Sequence, residues 1–152
     1  MATDPSRQER QPMGAWGTGP FDNDDAADFA ASLDHLEPEF RVGAIRTVLA
    51  EAAEQSGYLD RDVGGAAVAA AALVAAQRDG HIPIDCIHGP KQTIPELPDD
   101  LRHIAVHALT RVLAECSELN ELWIDSPDAE AWLHMVSTLT SALDTRSTRN
   151  AE

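Results

Sequence analysis

Carboxylates crowd a short stretch near the start of the chain, where Asp22, Asp24, Asp25 and Asp28 surround Asn23. Carboxylate oxygens are ligands for hard cations and hydrogen-bond acceptors for lysine and arginine. The spacing excludes an EF-hand calcium loop, because counting from Asp22 places alanines where that loop needs a ligand oxygen and a glycine. A cation held in another way, or a basic partner, remains the chemistry that this stretch could perform.

The same stretch also has a structural interpretation that uses every residue type in it. Gly17 and Gly19 allow positive φ angles and therefore a tight turn. Trp16 and Phe21 supply the apolar groups that would pin such a turn against a core, and Asn23 is a strong helix cap. Because turns and caps explain the pattern without chemistry, we favour this interpretation over a reactive site.

A second group of candidate ligands lies in a loop-like segment at residues 80–97, where His81, Asp85 and His88 flank Cys86. Histidine, aspartate and cysteine all bind transition metals, and a cysteine beside a histidine can act as a nucleophile. The spacing matches no known metal or catalytic motif. The sequence therefore assigns no metal, no cofactor and no catalytic residue, and the group enters only as a candidate binding site.

His103 and His107 are four residues apart on a predicted helix, a spacing that can hold a metal between two imidazoles. A third ligand and the glutamate of a metalloprotease motif are both missing. Their helical positions lie opposite the apolar stripe, so we predict that they are surface histidines.

Composition and charge limit the partners. The chain has 152 residues, 26 acidic against 11 basic, for a net charge of −15. Such a chain is repelled by nucleic acid and by anionic membranes, whereas a basic protein, a cation or simple solubility stays open. The longest apolar run is about half of a bilayer span. The separated Cys86 and Cys116, together with the absence of a secretory signal pattern, predict a cytoplasmic protein.

Helical periodicity predicts an all-α, single-domain bundle of about five helices with a long Pro/Gly loop between helices 3 and 4. The third helix is apolar on all sides and is therefore predicted to be central. The predicted helices run from Asp24 to His35, from Pro38 towards a C-cap at Gly57, from about Asp60 to Arg78, from Pro98 to about Cys116, and onward from Pro127, with one or two extra turns at Ser117–Trp123.

The ends of the chain are predicted to lie outside this bundle. Residues 1–12 are polar and aperiodic and are predicted to be a disordered extension, with residues 13–145 forming the domain and residues 146–152 a disordered tail. Met13 stands directly before the ordered signature and is an alternative start to Met1. Oligomeric state is not predicted.

The segment Met13-Gly-Ala-Trp-Gly-Thr-Gly-Pro-Phe-Asp-Asn-Asp-Asp-Ala-Ala-Asp-Phe29 resembles the start of the DUF4259 family, a bacterial family of unknown function. Further stretches are similar to actinobacterial members and occur in the same order: Ala72–Gln77, Leu97–Leu101, Arg111–Glu115 and Ser117–Trp123. The resemblance covers roughly residues 13–143. It implies no activity, cofactor or catalytic residue, because none is established for the family.

Two hypotheses about function follow. The first is a small acidic, non-enzymatic module that binds a basic surface of another protein, by analogy with immunity or regulatory proteins, which often have this size and charge. The second is a metal-binding protein or enzyme whose site lies between the Trp16–Asp28 segment and the 80–97 loop. The absence of a phosphate-binding loop, a dinucleotide fingerprint or a nucleophile elbow favours the first.

Overall fold

A computed structural model gives the arrangement of residues 17–77 and 89–144, which are the residues described below. These residues form six α-helices: α1 (Asp24–Asp34), α2 (Pro38–Ala53), α3 (Arg61–Ala76), α4 (Asp100–Val112), α5 (Glu118–Ile124) and α6 (Ala129–Asp144). The predicted all-α bundle is confirmed. The extra turns predicted at Ser117–Trp123 form a separate helix, so the described residues contain six helices rather than five.

Helix α3 is the centre of the bundle, as its all-round apolar pattern predicts. It packs against each of the other five helices. The alanines at positions 67, 69, 70, 71, 72 and 75 are completely buried. An alanine surface lets neighbouring backbones approach closely, which allows one helix to be surrounded by so many others.

The two faces of α3 meet different kinds of core residue. Helices α1, α2 and α4 contribute mainly aliphatic and small side chains at the predicted helical spacing. On the side of α5 and α6, Trp123 and Trp132 are both buried and stack with their ring centroids 5.8 Å apart. The stacked pair joins α5 to α6 and belongs to the core.

The connection from α2 to α3 departs from the sequence prediction. Helix α2 ends at Ala53 and has Glu54 as its C-cap, so the predicted C-cap at Gly57 is wrong. The carbonyl oxygens of Gln55 and Gly57 instead accept hydrogen bonds from the guanidinium group of Arg111 on α4. Because these bonds hold the connection against α4, the chain leaves the helix earlier than its sequence suggests.

Helix α4 is also shorter than predicted, beginning at Asp100 and ending at Val112 rather than spanning Pro98 to Cys116. Turns at residues 113–116 follow α4, and the extended Ser117 then pairs with Leu59 in the connection that precedes α3. The N–H of Leu59 donates to Cys116 O at 2.8 Å, and the N–H of Glu118 donates to Leu59 O at 2.9 Å. This short parallel bridge prevents the helix from continuing through Cys116.

The described end of the long loop, residues 89–97, is non-helical as predicted. Asp34 anchors it, because its carboxylate accepts hydrogen bonds from the backbone N–H groups of Lys91 and Gln92 at 2.9 Å. The side-chain amide of Gln77 anchors the next part, accepting from Leu97 N at 2.8 Å and donating to Pro95 O at 3.0 Å. The loop therefore lies over the bundle through specific polar contacts.

Arg41 lies on the buried face of α2, contrary to prediction. As a charged residue it is expected off the apolar stripe that Val42, Ile45, Val48, Leu49 and Ala52 form on α2, yet only 6% of it is exposed. Its Nε donates to Leu33 O at 3.0 Å and its terminal nitrogen donates to Thr93 O at 2.7 Å. A buried guanidinium is tolerated where its donors find acceptors, and here it joins α1, α2 and the loop.

In the part of the chain that the structure describes, no helix combines the length and apolar character needed to cross a membrane.

Candidate functional site

Residues 17–28 are the described part of the Trp16–Asp28 segment and are called the signature segment, which begins as a hydrogen-bonded turn that closes on Asp22. The N–H of Gly19 donates to Asp22 Oδ2 at 3.0 Å, and the N–H of Asp22 donates back to Gly19 O at 3.1 Å. Phe21, between them, is completely buried in the core. The turn therefore places one aromatic side chain inside the bundle and directs the carboxylate of Asp22 back onto its own backbone.

The two glycines of this turn are needed for space rather than for unusual torsion angles. Neither Gly17 nor Gly19 has a positive φ, so the predicted use of positive φ is wrong. A Cβ added to Gly17 would lie 2.8 Å from Asp22 Oδ2, and one added to Gly19 would lie 2.7 Å from the same oxygen. The carboxylate packs directly against both glycines, which leaves no room for a side chain.

Asn23 caps α1 as predicted. Its side-chain oxygen accepts a hydrogen bond from Ala26 N at 2.9 Å. Asp24 and Asp25 stand in the first turn of the helix, where negative charge is favoured by the helix dipole. A side-chain cap and first-turn carboxylates thus stabilise the start of α1, and the side chain of Asn23 is used in this cap.

Asp25 forms an ion pair inside the domain. Its Oδ2 lies 3.1 Å from Nε of Arg61 at the start of α3, and 23% of its side chain is exposed. Burial raises the pKa of Asp25 and outweighs the lowering by Arg61, while nearby Asp62 and Asp24 raise it further. Gly65 leaves room for this contact, because a Cβ there would lie 3.2 Å from Asp25 Cβ.

Asp24 and Asp28 are exposed to solvent one helical turn apart on α1. Of the predicted site residues in the described region, Phe21, Asp22, Asn23 and Asp25 therefore have structural partners, and Asp24 and Asp28 face outward. Trp16, His81, Asp85 and His88 lie outside the described residues, as does Cys86. The predicted site between the Trp16–Asp28 segment and the 80–97 loop rests largely on those residues.

Within residues 17–77 and 89–144, no group of three or more His, Cys, Asp and Glu side chains comes together to hold an ion. His103 and His107 are exposed on α4, as predicted. The Nε2 atom of His103 lies 3.3 Å from a terminal nitrogen of Arg102.

The arginines of the described residues are used inside the domain. Three of them donate hydrogen bonds to backbone carbonyl groups, and two pair with carboxylates across helices. The first group is Arg41, Arg102 and Arg111, and the second is Arg46 and Arg61. Most of the acidic side chains of the described residues are exposed, so the surface that these residues form is acidic.

An exposed surface without a sequence motif lies where the connection before α3 meets α5. Tyr58 is 46% exposed, and its hydroxyl group donates to Glu121 Oε1 at 2.8 Å. Ile124 and Asp125 follow Glu121 by three and four residues, which places them beside it on the helix surface, and Ile124 is 60% exposed. These four residues, Tyr58, Glu121, Ile124 and Asp125, are called the Tyr58 surface below.

A family comparison gives the chain a place among known proteins. A family model described as "Domain of unknown function (DUF4259)" matches residues 14–135, from the signature segment into α6. The chain belongs to the DUF4259 family. Comparisons with curated proteins and with solved structures return no match.

The DUF4259 match takes in both regions described above. It covers the turn that closes on Asp22 and the start of α1, and it also covers all four residues of the Tyr58 surface. Membership assigns neither region a role, since the family description carries no function. The geometry of this chain must therefore decide between them.

One further cavity of the DUF4259 domain, of about 330 Å³, opens between the end of α3 and the start of α4. It is lined by Val74, Gln77, Glu96, Leu97, Pro98, Asp99 and Arg102. The Nε atom of Arg102 is buried without a hydrogen-bond partner and lies 3.9 Å from Asp99 Oδ1. The carboxylates of Glu96 and Asp99 line the cavity beside the Arg102 guanidinium, so the charge of the cavity does not favour an anion. We assign the cavity no ligand.

The acidic character of the Tyr58 surface has a measurable consequence. The hydrogen bond to Glu121 raises the pKa of Tyr58 from 10.0 to about 12, helped by desolvation and by the charges of Glu121, Glu118 and Asp60. Tyr58 is the only tyrosine of the chain, so its ionisation can be followed as a change in ultraviolet absorbance with no contribution from another tyrosine. We expect Tyr58 to stay protonated at pH values where an ordinary tyrosine has ionised.

Glu121→Gln is expected to move this titration back towards 10, whereas Glu130→Gln, at an exposed position on α6, is expected to leave it unchanged. The pKa of Tyr58 is higher in the folded state than in the unfolded state. The hydrogen bond to Glu121 therefore stabilises the fold fully below pH 10, and this stabilisation is lost as the pH rises towards 12. Circular dichroism at each pH reports whether the chain is still folded. A wild-type titration near 10 in the folded protein would show that the hydrogen bond is absent in solution.

Proposed function

We propose that this DUF4259 domain is a non-enzymatic interaction module that binds a basic surface of another protein. The observation that carries the proposal is the internal use of its arginines. The net charge of −15 lies entirely in the described residues, because acidic and basic residues outside them are equal in number. In residues 17–77 and 89–144 the five arginines are all bonded within the domain, and they are far fewer than the exposed carboxylates there.

Charge of this kind favours one class of partner. A strongly acidic surface repels the phosphates of nucleic acid and of anionic lipid, and it attracts and steers a protein that presents lysine and arginine. The module is also proposed to act in the cytoplasm. Cys116 is exposed and unpaired, and a free thiol persists in a reducing compartment.

The proposal is tested by immobilising the full chain, passing an extract of the source cells over it, and identifying retained proteins by mass spectrometry. An unrelated acidic protein of matched net charge serves as the control bait. We expect a basic protein on the DUF4259 bait alone, released as the salt is raised to about 1 M, where the Debye length falls to about 3 Å. Retention of the same proteins on both baits, or a complex indifferent to salt, would overturn the proposal.

A further inference from the structure

We propose that the Tyr58 surface is the docking site for a lysine- or arginine-rich segment of a partner protein that also carries an apolar side chain. The inference rests on the proposed function and adds to it the location of the site and the chemistry of the segment. It follows from three properties of Tyr58, Glu121, Ile124 and Asp125, which are their exposed apolar area, their charge and their rigid support.

The apolar part of the surface is shared by two elements. Tyr58 comes from the connection before α3 and Ile124 from the end of α5, and Oε1 of Glu121, on the same helix as Ile124, accepts a hydrogen bond from the Tyr58 hydroxyl group at 2.8 Å. Single exposed hydrophobic residues are common and need no explanation. Here Tyr58 is bonded to Glu121 and Ile124 follows Glu121 by three helical positions, so side chains that are 46% and 60% exposed offer apolar area beside the same glutamate.

Carboxylates outnumber cations around this area, where Arg111 is bonded to the carbonyl groups of Gln55 and Gly57. Glu121 and Asp125 are exposed on the surface itself, and the nearby carboxylates of Glu118 and Asp60 help to raise the pKa of the Tyr58 hydroxyl group. Arg61, the nearest arginine in sequence, is turned towards Asp25. An apolar centre with carboxylates around it complements a segment in which lysine or arginine flanks an apolar residue.

The backbone beneath the surface is held in place before any partner binds. The residue after Tyr58, Leu59, exchanges hydrogen bonds with Cys116 O and Glu118 N, and Arg111 holds the carbonyl groups of Gln55 and Gly57. The N–H of Arg61 donates to Glu118 Oε1 at 2.8 Å, which ties the start of α3 to α5. A surface that is already ordered loses little conformational freedom on binding.

The test uses the full chain and two synthetic peptides labelled with a fluorophore, one of alternating lysine and leucine and one of alternating lysine and serine. Fluorescence anisotropy gives the Kd of each peptide for the wild type, for Ile124→Ser and for Phe40→Ser. Phe40 is the matched control, because it is 57% exposed and lies close to Glu37 and Glu39 in the sequence but outside the Tyr58 surface.

We expect the lysine–leucine peptide to bind the wild type more tightly than the lysine–serine peptide. Ile124→Ser is expected to weaken the lysine–leucine peptide about tenfold, equivalent to about 1.4 kcal/mol, and Phe40→Ser to leave it unchanged. Equal effects of the two substitutions, or none, would overturn the docking site. That result leaves the proposed function standing if the captured partner is basic, whereas failure of the capture experiment removes both.

Discussion

Phe21→Ala is expected to lower the free energy of unfolding by about 3–5 kcal/mol, the range found for removal of a fully buried aromatic side chain. Phe21 is completely buried, and it is held there by a turn whose ends exchange hydrogen bonds between Gly19 and Asp22. The substitution removes the ring and leaves a cavity next to the start of α1. Because typical domains are stable by only about 5–15 kcal/mol, this one change removes a large part of the total.

Chemical denaturation followed by circular dichroism measures this effect. Phe40→Ala is the matched control, since Phe40 is 57% exposed on α2 and its removal is expected to change the stability by less than about 0.5 kcal/mol. If the two variants were equally stable, the signature segment would not be anchored in the core as described.

Ala70→Leu is expected to destabilise the domain by about 1–3 kcal/mol through overpacking, although leucine is larger and more hydrophobic than alanine. Ala70 is completely buried on α3, the helix that packs against all five others. Added methyl groups there have no space unless a neighbouring helix moves outward, and such a movement would disturb several contacts at once.

Ala131→Leu provides the comparison for this substitution, because Ala131 is exposed on α6. The same chemical change there is expected to alter the stability by less than about 0.5 kcal/mol. Thermal unfolding of the two variants beside the wild type gives the difference directly. An Ala70→Leu protein as stable as the wild type would indicate free space around α3 and would argue against its central position.

Much of the fold could be predicted because local patterns and packing agree. The apolar residues of α1 at positions 26, 29, 30 and 33 repeat at helical spacing and are all buried. The run of alanines in α3 predicts a helix that others approach closely, and its central position follows. Asn23 could be identified as a cap from its type and place alone, because capping needs only a side chain and the turn that follows it.

The errors arose where distant residues meet. Gly57 and Cys116 are plausible helix ends by composition, but the bonds that displace those ends come from Arg111 and Leu59, which are remote in sequence. The charge of Arg41 predicts a place on the polar face of α2. Its position four residues before Ile45 would have placed it on the buried face, but only the structure supplies the carbonyl groups of Leu33 and Thr93 that make its burial acceptable.

The candidate site was harder to predict for the same reason. The signature segment is a natural candidate for a site because it combines glycines, aromatic residues and carboxylates. The roles of Phe21, Asp22 and Asn23 in the turn and the helix cap explain much of this combination. The Tyr58 surface has no motif, since Tyr58 and Glu121 are brought together only by the fold. A distinctive sequence thus identifies the DUF4259 family, while the proposed binding surface is formed by residues that are not adjacent in the chain.

The relation between these two regions can be measured in one experiment, in which the ¹⁵N-labelled chain is titrated with the lysine–leucine peptide and its amide signals are followed by NMR. If the signature segment supports the fold and the Tyr58 surface binds the partner, the largest shifts will fall on Tyr58, Glu121, Ile124 and Asp125. The largest shifts on Asp24 and Asp28, with little change at Tyr58, would contradict that account and return the binding role to the signature segment.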